Sequence, residues 1–179
     1  MKRLIASIAV LLTIAIYLIS CEKDDLCADG TPTTPGLVVE FYKFDNATVR
    51  NDVTNFVYYT PGSGTIKRDT LKSGYQIILP LKTDADEVTW ALEYNNTSSG
   101  GTKTKNTDLF TVKYTRTQTY VSRACGYKTT FTLVPATQGQ PNPSVQDIVP
   151  NDGALIRNNP TVVIPNIENE DEVHVKIFF

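Results

Sequence analysis

One histidine, one tryptophan and one methionine stand in a chain of 179 residues. The scarcity of histidine narrows the chemistry at once. Zinc sites draw on several His or Cys ligands at close spacing, and a Ser–His–Asp set would have to be built on His174 alone. No serine sits in a glycine-flanked elbow of the GxSxG kind. A basic excess is missing too: 17 Lys and Arg stand against 19 Asp and Glu, for a formal charge of −2. A chain with no basic stretch lacks the electrostatic footprint of a nucleic-acid binder, so no such partner is expected. No segment combines a 3.6-residue apolar period with caps, which predicts little helix. No cofactor and no enzymatic activity are expected.

What is present is globular. Hydrophobic residues make up 41% of the chain and charged residues 20%, far from the low-hydrophobicity, high-charge composition of disordered chains. The length suits one domain with a real core. Thr, Val, Ile, Tyr and Phe are frequent, a bias toward strands.

The one long apolar run, Leu4 to Ile19, follows Lys2 and Arg3. At 16 residues it is short of the roughly 20 needed to span a bilayer, and it suits the h-region of a signal peptide. Removing a leader of residues 1–20 takes the formal charge from −2 to −4. The next residues, Leu18-Ile19-Ser20-Cys21, resemble the bacterial lipobox. The resemblance implies a thioether-linked diacylglycerol on Cys21, cleavage before it and acylation of the new amine. More than one acyl chain anchors stably, at roughly 0.8 kcal/mol per buried methylene. Lys23, Asp24 and Asp25 resemble the lysine-plus-acidic export signal of surface lipoproteins in Bacteroidota. The implied location is the outer membrane, surface-exposed, with a periplasm-facing orientation as the alternative. The plain alternative for these charges is a solvated spacer.

Lipidation of Cys21 leaves Cys27 and Cys125 in an oxidising compartment, where disulfides persist. A Cys27–Cys125 bridge is therefore expected, with free thiols or an intermolecular bridge as alternatives. Chain entropy would assign a loop of that length roughly 4–5 kcal/mol. Only Glu22 to Leu26 separate the lipid site from the crosslink, and five extended residues reach roughly 17 Å.

Residues 21–36 read as anchor and tether, and 37–179 as a single β-rich domain. Alternating segments recur at Leu37–Lys43, Asn55–Thr60, Thr65–Leu71, Tyr75–Leu81, Glu87–Tyr94, Leu109–Arg116, Tyr127–Val134, Val145–Val149, Thr161–Ile164 and Glu172–Phe179. The Pro61–Gly64 loop reads as a hairpin turn and Lys72-Ser73-Gly74 as a second turn. The expected fold is all-β: an antiparallel β-sandwich or partly closed barrel of about 7–10 short strands. Phe179 ends the chain as in many outer-membrane barrels, but these strands are too short and polar to face lipid.

CEKDDLC, the Phe41-Tyr42 pair, YVSRACGYK (Tyr120–Lys128) and HVKIFF (His174–Phe179) together resemble a family of small Bacteroidota lipoproteins carrying a domain of unknown function. The resemblance spans Cys21 to Phe179. It implies a lipidated, exported, β-rich domain and no particular activity.

Few side chains point to chemistry. His174, between Val173 and Val175, shares an alternating face with Lys176 and Phe178 and reads as a sheet-surface residue. Glu168, Glu170, Asp171 and Glu172 are weak calcium candidates, because hard oxygen ligands suit Ca²⁺, but they lack EF-hand spacing and a solvated turn is the simpler reading. Tyr42, Tyr58, Tyr59, Tyr94 and Trp90 could form an aromatic platform for a glycan or protein partner, with the core as the competing destination, favoured for Trp90. Asp69-Thr70-Leu71 resembles the Bacteroidota O-glycosylation motif, making Thr70 a candidate acceptor. The expected function is a non-enzymatic envelope or binding component held to the membrane by its lipid. A surface glycan-binding or uptake accessory is one alternative, and a carboxylate-pair hydrolase another.

Overall fold

A computed structural model describes residues 26–31, 33–62, 68–97, 103–148 and 155–179. Among these described residues eleven strands are formed: β1 (Leu37–Tyr42), β2 (Val53–Tyr59), β3 (Arg68–Gly74), β4 (Gln76–Leu79), β5 (Glu87–Thr97), β6 (Lys103–Ser122), β7 (Gly126–Leu133), β8 (Ser144–Asp147), β9 (Thr161–Val162), β10 (Asn166–Ile167) and β11 (Val175–Phe178). Two compact units divide the chain. One comprises Met1–Pro32 and Tyr120–Lys128, the other Thr33–Thr119 and Thr129–Phe179.

The larger unit is a sandwich of two sheets. A four-stranded sheet has the order β4-β1-β11-β9, and a seven-stranded sheet the order β10-β7-β6-β5-β2-β3, with β8 paired to β6. The fold is all-β and the sheets do not close into a barrel. One pairing, β1 with β11, is parallel, so the smaller sheet is mixed. The core is built by the period-two pattern of the sequence. Leu37, Val39, Phe41, Leu79, Val175 and Ile177 from the small sheet meet Phe56, Leu92, Phe110, Val112, Phe131 and Ile167 from the large one. Phe41, Phe56 and Phe179 pack ring against ring, with centroids 4.9, 5.1 and 5.6 Å apart. Phe179 thus packs its ring against the core.

Three departures from the alternating pattern have local causes. β1 is buried on both faces, not one. Its outer face is covered because Glu40 accepts from Tyr42 Oη at 2.8 Å and pairs with Arg50 at 2.9 Å. Lys176 Nζ lies 4.5 Å from the centre of the Tyr42 ring. Lys72-Ser73-Gly74 is strand, not turn: Ser73 pairs with Thr54 and Gly74 with Val53 because β2 begins two residues before the alternation shows. The chain then crosses to the other sheet in a single residue, Tyr75, and Gly74 takes a φ of +151° there. β5 and β6 form one long antiparallel ladder from Glu87↔Lys113 to Thr97↔Lys103. It consumes most of the loop expected between them.

Candidate functional site

The smaller unit carries the most distinctive surface. β6 and β7 are joined by the turn Arg123–Cys125, where Ser122 Oγ accepts the Cys125 N–H at 3.0 Å. Gly126 follows with φ +70°, a left-handed position that favours glycine and fits a three-residue hairpin loop. Cys125 is bonded to Cys27, with S–S 2.04 Å and Cα atoms 4.9 Å apart. The expected bridge is present. On the Cys27 side, a tight turn is closed by Thr31, whose N–H and Oγ1 both donate to the Ala28 carbonyl at 3.1 and 2.6 Å. Gly30 supplies the positive φ of +81° that this turn uses.

Two tyrosines flank the hairpin turn. Tyr120 and Tyr127 are 55% and 66% exposed, and their rings meet edge to face with centroids 5.4 Å apart. Val121 and Arg123 are exposed beside them, and Leu26 is 85% exposed. An open cleft of ≈ 600 Å³ runs past Leu26, Ala28, Tyr120, Arg123 and Cys125. The segment Tyr120–Lys128 carries Arg123 and Lys128 and no acid. Such a surface offers stacking and apolar contact with a positive rim.

The aromatic residues singled out in the sequence go elsewhere. Trp90 and Tyr42 are buried at 7% exposure. Tyr58 lies 6.1 Å from Trp90 and packs on the core, and burial pushes its phenol pKa up. Tyr59 is covered by Arg68, 4.2 Å from the ring centre, and Tyr94 packs against the core. Spacing alone did not mark Tyr120 and Tyr127 as the exposed pair.

Other candidates have structural partners. His174 is a correction: it is buried, at 1% exposure, and not on the sheet surface. Its Nδ1 accepts the Val38 N–H at 3.0 Å. Burial lowers its pKa, and nearby Glu170 opposes that shift. Glu170 Oε1 itself accepts the Gly36 N–H at 2.7 Å. Glu168, Asp171 and Glu172 are exposed, with the Asp171 N–H held by Asn169 Oδ1 in a local turn at 3.0 Å. Among the described residues no three His, Cys, Asp or Glu side chains gather closely enough to hold a metal ion. Thr70 is exposed on β3, the terminal strand of the large sheet. Cys21, Lys23, Asp24 and Asp25 lie outside the described residues.

A second open depression, ≈ 540 Å³, is lined by Asp86, Thr115, Arg116 and Gln118. Its carboxylate is tied to Arg116 Nε at 2.7 Å, and Arg116 also donates to the Thr83 carbonyl. Among the described residues that line it, Asp86 is the one carboxylate. The most elaborate charge cluster surrounds buried Glu93, which pairs with Arg68 at 3.1 Å and Lys105 at 2.8 Å. These contacts neutralise a buried carboxylate between strands.

A family of unknown function, DUF6452, matches residues 57–179, more than half of the chain. The chain belongs to the DUF6452 family. The match takes in the DUF6452 hairpin turn with Tyr120, Cys125 and Tyr127, and the terminal HVKIFF segment, but not the segment from Cys21 to Phe56 that carries Cys27. No curated protein and no solved structure matches this DUF6452 chain.

Proposed function

We propose that this DUF6452 protein is a lipid-anchored, non-enzymatic component of the bacterial outer membrane, with its anchor at Cys21 and residues 1–20 removed. The observation that carries the reading is the Cys27–Cys125 bond. A disulfide is at home outside the cytosol, which supports export. It also accounts for both other cysteines and leaves Cys21, at the end of the apolar run, as the one thiol without a protein partner to expect. Lys23, Asp24 and Asp25 would direct the chain to the cell surface. Exposure of Thr70 supports its candidacy as a glycan acceptor after export.

Mass spectrometry of the N-terminal peptide tests the anchor. The expected result is a chain beginning at Cys21 that carries the mass of a diacylglyceryl group and an amide-linked acyl chain. Cys21→Ala should move the protein from the membrane to the soluble fraction. Digestion of intact cells reads the leaflet: cleavage by added protease is expected, and full protection would assign the protein to the periplasmic face.

A further inference from the structure

We propose that Tyr120, Tyr127 and Leu26 form a second, non-covalent membrane contact, seating the stapled unit in the headgroup layer of the bilayer that holds the lipid on Cys21. The inference rests on the lipid anchor proposed above and adds a surface to it. Leu26 is the last of five residues separating Cys21 from Cys27, a stretch whose full extension is roughly 17 Å. Cys27 is bonded to Cys125, so the hairpin turn shares the short reach of that tether. The tether therefore does not let this turn drift away from the lipid surface.

The turn is also chemically suited to that surface. Tyrosine has an apolar ring and a polar tip, and it concentrates at the boundary between headgroups and acyl chains. Both rings here are more than half exposed and lean on each other, which leaves their outer faces open. Arg123 beside them is exposed and suits phosphate headgroups. Asp29 is the one acid among the described residues of this unit. An aqueous protein partner would gain nothing from the tether. A lipid surface is delivered to this site by the covalent structure itself.

The test uses the full, lipidated protein reconstituted in phosphatidylethanolamine–phosphatidylglycerol vesicles. Tyr127→Trp and, separately, Tyr120→Trp are made, and the Trp90 emission of the parent is subtracted. Replacing the lipid by its acyl-brominated analogue should remove most of the added emission, and iodide in the buffer should quench it little. Iodide access equal to that of free tryptophanamide, without quenching by brominated lipid, would overturn the contact while leaving the anchor intact. Shielding from iodide without quenching by brominated lipid would also overturn it, in favour of a second copy over the rings. Absence of acyl mass on Cys21 would overturn the anchor and the contact with it. Tyr120→Ser/Tyr127→Ser gives a second readout: trypsin cutting after Arg123 should be slow for the parent in vesicles and fast for this variant. Equal rates would count against the contact.

Discussion

His174 Nδ1 accepts the main-chain N–H of Val38 at 3.0 Å, 136 positions away in sequence. The parallel ladder between β1 and β11 starts one residue later, at Val39↔Val175. At its open end the imidazole takes the place of a strand carbonyl, while the His174 N–H donates to the Val38 carbonyl at 3.1 Å. Nδ1 accepts only when it carries no proton, so the ring is neutral in the fold.

That bond predicts a pH dependence. Burial lowers the pKa of His174 below the ordinary 6.5, so below that pH the unfolded chain binds a proton that the folded chain refuses. Its contribution to stability is fully present above pH 6.5 and is lost as pH falls toward the folded pKa, by at most about 1.4 kcal/mol per pH unit. Glu170, the charged group that acts on the ring, limits the loss by favouring the protonated form. Urea midpoints at pH 7.5, 6.0 and 5.0 should fall for the parent and fall less for His174→Gln. Parallel curves for the two chains would refute the assignment.

The same residue marks where the sequence stops being legible. Alternation reads His174 with Lys176 and Phe178 because it assumes that one strand covers them all. The strand begins only at Val175, and the His174 carbonyl is taken by Val163 and Ile164, so the period fails at that end. Where strands are long and one-sided, as at Val88, Trp90 and Leu92, the pattern places the core correctly. The disulfide was legible by counting cysteines. The tyrosine pair at the hairpin turn was not, because nothing in a linear pattern tells which of nine tyrosines stay outside.

Asn142 illustrates a buried polar group whose importance shows only in three dimensions. At 8% exposure, its Nδ2 donates to the carbonyls of Lys113 and Val134, both at 2.7 Å, and its Oδ1 accepts the Lys113 N–H at 2.8 Å. The amide acts as a length of strand that β6 would otherwise lack. Asn142→Ala should cost about 2–3 kcal/mol in urea unfolding, since it strands main-chain groups without partners. Asn142→Asp should cost more, because it turns an anionic oxygen toward two carbonyls. An unchanged midpoint for Asn142→Ala would show that water replaces the amide.

Gly36 and Gly62 offer a matched pair. A Cβ on Gly36 would lie 2.5 Å from Ile78 Cγ2 and 3.3 Å from the Leu79 carbonyl oxygen, whereas one on Gly62 meets nothing within 4 Å. Gly36→Ala should destabilise by about 1–3 kcal/mol through overpacking, and it would also crowd the Glu170 carboxylate that holds the Gly36 N–H. Gly62→Ala should be near neutral. Thermal midpoints of the two variants, measured together, separate close packing from the general effect of removing glycine.

The disulfide makes two separable predictions. Its partners are 98 positions apart, so losing the crosslink releases a long loop in the unfolded chain. Cys27→Ser/Cys125→Ser should lower stability by about 2–5 kcal/mol, read as a lower urea midpoint that reducing agent no longer changes. The single variants should differ from each other. Cys27 is exposed while Cys125 is half-buried beside Ser122, so the thiol freed by Cys125→Ser is the more accessible one. Exposed unpaired thiols form intermolecular bridges in oxidising compartments. Cys125→Ser should therefore run largely as a disulfide-linked dimer on a non-reducing gel, and Cys27→Ser largely as a monomer. Equal dimer yields would mean that the hairpin turn opens once the staple is gone. Its geometry would then depend on the crosslink and not on the Ser122 bond and Gly126.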